Sequence, residues 1–482
     1  MRKQSQAVVR IVQWSQVTLL LVALAGCRVG PNYTPPVPPT APAFTGRDTV
    51  STLAEQQAIA YSDWWKVFHD PELDTLEVQA DAANRDIKVA VAHVDEAIAA
   101  SGSARSFLLP TISAQPQVSR TREALDRPNN GNTGGRAATF NDIQLPLVLN
   151  YEIDAWGRVR RTIEAARATE QASEADLRFV RIATEATVAI DYYELRESNQ
   201  ELSVIESTVH DLEESLSLTQ NLFRHGLSSE LEVAQAKTLL DQTNASEQTL
   251  MIQRQQLQHA LAVMLGRTPE SLSLPAQPNN PEPPVIPVGL PSDLPQRRPD
   301  IAEADRNVAA ATARIGIAKA AYFPQLSLTG FTGYESSSPA TLVNWQNTIA
   351  SLGASAVAPI FTGGRLKAGV EQAQAFYRES LASYEKTVLV SYQEVEDQLS
   401  ALEYLATQAR LQNLAVEDAT LAERIATDRY KRGLVSYLDV VTAEQNVLFN
   451  ERTATQISGQ RLVDSVVLIK ALGGGWEQTK TP

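Results

Sequence analysis

No proline occurs between Pro146 and Pro269, or between Pro359 and Pro482. A proline inside a helix removes a hydrogen bond and clashes with the preceding turn. Each proline-free run can therefore hold a helix far longer than the three or four turns usual in globular proteins. Glycine is scarce in both runs, with Gly226 and Gly433 marking turns. Gly157 to about Arg224 reads as one uninterrupted helix, and Gly364 to about Lys431 as its twin. At 1.5 Å per residue each is about 100 Å long. In the second, Val388, Tyr392, Val395, Leu399, Leu402, Ala406 and Ala409 alternate steps of four and three. That is the heptad seam by which helices pack lengthwise.

The twin helices belong to a duplication. Leu222-Phe223-Arg224-His225-Gly226-Leu227 aligns with Arg429-Tyr430-Lys431-Arg432-Gly433-Leu434, glycine on glycine. At the same offset Leu265-Gly266 meets Leu472-Gly473, and Gly157-Arg158 meets Gly364-Arg365. Upstream, Arg85-Asp86-Ile87 and its run to Pro110 match Pro299-Asp300-Ile301 and its run to Pro324, at a larger offset. A longer loop between Pro110 and Gly157 absorbs the difference. Each half reads as helix, strands, long helix, turn, helix. The first helical pattern starts after Trp64-Trp65 and runs to about Leu109; the two tryptophans read as core or interface packing.

Period two marks the strands. Ile143, Leu145, Leu147, Leu149, Tyr151 and Ile153 are apolar, with Gln144, Asn150, Glu152 and Asp154 between them. The partner run starts at Pro110, and Asp126 to Gly131 is the turn. The second half repeats this from Pro324 to about Tyr334 and from about Asn347 to Ile360. Runs of roughly 10 residues match the span of a membrane β-strand. Tyr151, Trp156, Tyr322, Phe323 and Phe361 lie at the helix side of the strands, and Phe140, Tyr334 and Trp345 nearer the loops. Membrane barrels carry aromatic girdles at both interfaces. Alternation alone would also fit a soluble sandwich.

The N-terminus reads as an export signal. Arg2, Lys3 and Arg10 precede the short apolar run Val17 to Leu24. That run is too short to span a bilayer, which needs about 20 apolar residues, and no other stretch reaches that length. The signal ends in Leu24-Ala25-Gly26-Cys27, which resembles a lipobox, and Cys27 is the only cysteine. Arg28 follows where inner-membrane retention would need Asp. Proline then recurs from Pro31 to Pro42, an extended tether. The formal net charge of −14 argues against nucleic acid as a partner.

Four membrane strands cannot close a barrel, because open edges would leave unpaired backbone groups in lipid. Several protomers must share one. Two would give a filled eight-stranded barrel, and three a wider one of twelve strands.

Here the sequence resembles the TolC-type outer-membrane efflux family, in its OprM-like and NodT-like lipoprotein branch. The resemblance rests on Cys27-Arg28-Val29-Gly30-Pro31-Asn32-Tyr33 and on Trp64-Trp65 with Phe68, Asp70-Pro71 and Leu73. It rests further on Arg298-Pro299-Asp300-Ile301 and on Tyr430, Gly433 and Tyr437-Leu438-Asp439-Val440. It implies an α+β membrane protein: a homotrimer whose twelve-stranded β-barrel, four strands per protomer, continues into a long α-helical periplasmic barrel. The divisions are a signal peptide at 1–26, a tether and equatorial segment at 27–70, and repeats at 71–268 and 299–473. A proline-rich equatorial linker takes 269–298, and a tail 474–482. Function follows as the outer-membrane exit duct of a tripartite efflux system. Partners would be a periplasmic adaptor (membrane fusion) protein, an inner-membrane transporter of RND type and outer-membrane lipids. No cofactor is expected beyond diacylglycerol and N-acyl lipid on Cys27.

The resemblance also places sites. Arg224, Gly226, Leu227, Ser228, Lys431, Gly433, Leu434 and Val435 form helical tips that would face the adaptor. An aperture would use Leu438, Asp439, Tyr430, Glu232 and Thr442, with Tyr430 reaching Glu232, the positional twin of Asp439. Thr442 and Gln445 stand where the family carries an acid and an arginine. The five histidines are scattered, and no H-E-x-x-H, G-x-S-x-G or phosphate-binding loop occurs, so no enzyme is expected. A type I protein-secretion duct and a pore-free structural lipoprotein remain as alternatives.

Overall fold

The computed structural model describes residues 28–38, 63–124, 139–276, 281–286 and 294–475. The export signal, Cys27 and the turn at 126–131 lie outside them. The described residues form two compact units, and each draws on both sequence halves. The first spans 28–36, 94–172 and 304–384; the second takes 37–93, 173–303 and 385–475.

Alternating side chains build the first unit around one antiparallel sheet. β1 (Thr111–Ala114) and β2 (Gln117–Arg122) both pair with β3 (Thr139–Ile153). β3 pairs with β4 (Gln325–Ser336), and β4 with β5 (Thr348–Val357). The single strand expected from Pro110 is thus split at Gln115-Pro116. Gln115 N donates to Pro146 O at 3.0 Å, but Pro146 has no N–H to return. Register survives the gap, with Ala114 opposite Leu147 and Gln117 opposite Gln144. β1 and β2 are therefore one strand path, and the sheet has four.

The pleat sorts these paths into unlike faces. Ile143, Leu145, Leu149 and Tyr151 share one face with Val118, Ile112, Tyr334, Leu328 and Leu352. The other carries Gln144, Asn150, Glu152, Thr329, Ser327 and Ser355, with Phe140, Pro146, Val148, Phe331, Ile349 and Val357 as apolar exceptions. The hydroxyls of Ser327 and Ser355 lie 2.8 Å apart on that polar face. β1 and β2 at one edge, and β5 at the other, each have one side without a partner strand in the described protomer.

β3 passes into helix α3 (Arg158–Arg224) through Asp154. Its carboxylate accepts from Val159 N at 3.0 Å and Arg160 N at 2.9 Å, satisfying donors that a helix start leaves unpaired. Beside this junction Trp156 stacks on Phe323, ring centroids 4.9 Å apart, and donates to Pro324 O at 2.8 Å.

In the second unit the helical pattern expected from Trp64 to about Leu109 is interrupted. A 3-10 turn (Trp64–Phe68) precedes α1 (Pro71–Ala83), and α2 (Arg85–Ser106) follows, its residues from Val94 on belonging to the first unit. Asp70 caps α1 by accepting from Glu72 N and Leu73 N. Asn84 stops it, because its side-chain oxygen accepts from Asp86 N and Ile87 N. Such local bonds compete with the helical ladder. Trp64, wholly buried, donates to Glu185 at 2.8 Å. Trp65, Phe68, Tyr192, Tyr193, Leu261 and Val466 complete that core.

The duplication reappears as equal lengths. α3 and α7 (Arg365–Lys431) have 67 residues each, and α4 (Glu230–Met264) and α8 (Tyr437–Ala471) have 35 each. α5 (Leu294–Arg297) stands between the halves, and α6 (Pro299–Ala320) opens the second half as the twin of α2, 22 residues each. The α7 seam packs through Tyr392, Val395, Leu399 and Leu402 against Leu294, Leu468 and Leu472. Beyond Leu402, Ala406 is exposed and Ala409 half-buried within the chain. No described helix is long and apolar enough to cross a membrane.

Candidate functional site

Two tips join the long helices to their partners. Both end the long helix in the same way. Gly226 N donates to Phe223 O at 2.9 Å and Leu227 N to Leu222 O at 2.8 Å. Gly433 N donates to Tyr430 O at 2.8 Å and Leu434 N to Arg429 O at 3.0 Å. This cap needs a left-handed residue, and the glycines sit at φ 72° and 70°. A Cβ added at either would meet nothing within 4 Å, so backbone shape and not space selects glycine. Past them Leu227 is 75% exposed and Leu434 68%. Arg224 and Lys431 are exposed beside them, Ser228 and Val435 half-buried.

The chemistry of the tips is not duplicated. Ser229 caps α4 by accepting from Glu232 N at 3.3 Å. The Glu232 carboxylate is turned elsewhere: it accepts from the hydroxyl of Ser228 and from Tyr430 of α7, the latter at 3.0 Å. Ser436 and Asp439 instead form a reciprocal capping box on α8, in which Asp439 accepts from Ser436 N at 3.0 Å and Oγ at 2.8 Å. So the structure joins Tyr430, Glu232 and Ser228, while Asp439 bonds within its own helix start. Leu438, one residue before it, is 55% exposed. The Thr442 hydroxyl donates to Leu438 O at 2.8 Å along the same helix.

Behind the tips lies a core that residue patterns did not single out. Tyr437 is buried among Leu212, Leu239 and Val440, its hydroxyl 2.8 Å from Ser215 Oγ and its ring 5.2 Å from that of Tyr430. Burial pushes the phenols of Tyr430 and Tyr437 up. Alongside is a cavity of about 570 Å³ lined by Asp211, Ser215, Glu423, Lys431, Glu444 and Glu451, among others. Burial lifts Glu444 to about 7; Ser215 opposes the shift, and Glu423 and Asp211 add to it. Its Oε2 is buried without a hydrogen-bond partner among the described residues. The signal for Tyr437 was present, since it heads the Tyr437-Leu438-Asp439-Val440 run. Glu444 carried none, because three separate helices create its surroundings.

The arrangement holds and positions helices, and among the described residues no group of metal ligands accompanies it. A sheet with one apolar and one polar face, joined by chain to helices of this length, is the build of an outer-membrane duct. The outer membrane efflux protein family matches residues 76–267 and 290–474. The chain is 33% identical over 465 residues to the probable efflux pump outer membrane protein TtgC of Pseudomonas putida, covering 95% of this chain and 94% of that one. It superposes on the outer-membrane channel OprN with a TM-score of 0.85 at 29% identity, covering 93% of this chain and all of the other. The CmeC outer membrane channel of Campylobacter jejuni gives a TM-score of 0.86 at 26% identity, over 94% and 96%. The chain belongs to the outer membrane efflux protein family. It is an outer-membrane exit channel for efflux, and not an enzyme.

Proposed function

We propose that three copies of this chain share one twelve-stranded barrel and open it toward a periplasmic adaptor and an inner-membrane transporter of the proton-driven RND class. One observation carries this reading: a four-path sheet, apolar on one face and polar on the other, unpaired at both edges. In lipid such edges must find strands, and only other copies supply them. Three copies give a barrel wider than the side-chain-filled case. The exposed Leu227 and Leu434 tips are the adaptor surface, being apolar and presented on rigid caps. Between them Tyr430 and Glu232 tie α7 to α4, and Leu438 and Asp439 line the aperture. Cys27 carries the acyl chains that add to the hold of the barrel.

Single-channel recording in planar bilayers tests the duct. Stable conductance steps are expected, which a pore-free tether cannot give. Deleting the gene should raise sensitivity to drugs and leave the exoprotein profile unchanged; the reverse outcome assigns the duct to protein secretion. Mass spectrometry of the mature N-terminus should find acyl mass on Cys27, and none after Cys27→Ser.

A further inference from the structure

The first residues after Cys27 are bound into the fold. In the first unit, Arg28–Tyr33 lies against both α3 and α6. Arg28 pairs with Glu164, and Tyr33 donates to Asp305 under the guanidinium of Arg306. Between these ends sits Arg161, with no exposed surface. It donates to Val29 O at 3.2 Å, Gly30 O at 3.1 Å and Asn32 Oδ1 at 3.0 Å, and pairs with Glu164 at 2.8 Å. α6 closes on it without room for one more carbon. A Cβ at Gly316 would come within 2.8 Å of Arg161 Nε, and one at Gly30 within 2.5 Å of the Gly316 Cα.

The strap also has a level. Val29 N donates to Trp156 O at 3.2 Å. Trp156 stands where β3 ends and, through Pro324 O, where β4 begins. With Phe323 it is an aromatic pair of the kind that marks a membrane interface. Consecutive Cα atoms lie about 3.8 Å apart, so Arg28, the neighbour of Val29, lies one step from that level.

We propose that Arg161 is the positioning residue of the membrane anchor: by clamping Arg28–Tyr33 it makes the chain leave the fold level with the Trp156–Phe323 pair. The lipid then enters the leaflet that the strand ends meet, and the anchored chain presents its sheet at the correct depth while inserting. This rests on the reading of Cys27 as the acylated residue. A planar guanidinium with several donors suits three separate oxygens, which lysine cannot hold in one geometry.

The test uses the full chain, pulse-labelled in cells, and follows its arrival in the outer membrane as material that urea no longer extracts. Arg161→Ala should delay arrival several-fold, with Arg161→Lys between it and the wild type. A flexible three-residue spacer after Cys27 leaves the clamp intact, frees the lipid from it, and should reproduce the delay. Both sets are repeated on a Cys27→Ser chain exported by an ordinary signal peptide. There the delay caused by Arg161→Ala should vanish, since no lipid remains to be placed. An equal delay with and without acylation makes Arg161 a packing residue only and overturns the proposal. Wild-type arrival of the spacer variant overturns it as well. Absence of acyl mass on the wild-type N-terminus removes the anchor reading itself, which mass spectrometry reports independently of the arrival rates.

Discussion

His69 holds a backbone conformation that its residue type resists. At φ 52° it is the only non-glycine residue in the left-handed region among the described residues, and its side chain is exposed. It closes the 3-10 turn of Trp64–Phe68 just before the Asp70 cap. A side chain in that region costs roughly 1 kcal/mol or more, which glycine avoids while losing some chain entropy. His69→Gly should therefore raise the thermal unfolding midpoint in detergent, by a free energy of up to about 1 kcal/mol. A lowered midpoint would mean that the imidazole makes a contact worth more than the strain. Glu444 gives a prediction in pH. Its folded value near 7 lies above the ordinary 4.5, so the folded state binds more protons across that window. Stability from this group is fullest below 4.5 and falls as pH rises toward 7. Glu444→Gln should gain on the wild type across that range. Parallel stability curves between pH 4 and 8 would show that the carboxyl does not titrate there.

At the scale of elements, the tie between α7 and α4 is the contact to cut. Tyr430→Phe removes one hydroxyl and leaves the ring against Tyr437. Conductance should rise and cells should become more sensitive to vancomycin, with folding unchanged by circular dichroism. Unchanged conductance in folded channels would locate the constriction away from this pair. The first-half twin of Tyr430 is Phe223, which has no hydroxyl, so the tie exists on one side of the duplication only. That asymmetry could be read beforehand, because the offset puts Phe223 on Tyr430 and Glu232 on Asp439. The long helices were equally readable, since absence of proline is a local fact. Other features were not. Pro116 blurs a strand only because Pro146 faces Gln115, and that pairing is unknown until the register is. Asn84 ends a helix through its own side-chain bonds, which a regular apolar pattern conceals. The resemblance places Asp439 at the aperture, and Ser436-x-x-Asp439 is also a capping pattern, in which the carboxylate accepts from Ser436.

For the whole molecule, the open sheet edges make the strongest demand. With Cys27 as the only native cysteine, cysteines placed singly along β2 and β5 and then combined report neighbouring strands directly. Oxidation in membranes should give a crosslinked species of three chains and nothing larger. Dimers alone would refute the twelve-stranded barrel. The matched helix lengths of the two halves carry a different consequence, which concerns assembly in time. A ring of single-repeat chains would need twice as many separate partners to find one another in a crowded membrane. Joining two repeats in one polypeptide holds each beside its neighbour at a high effective concentration. Half of the meetings around the ring are then encounters within one chain and not between chains.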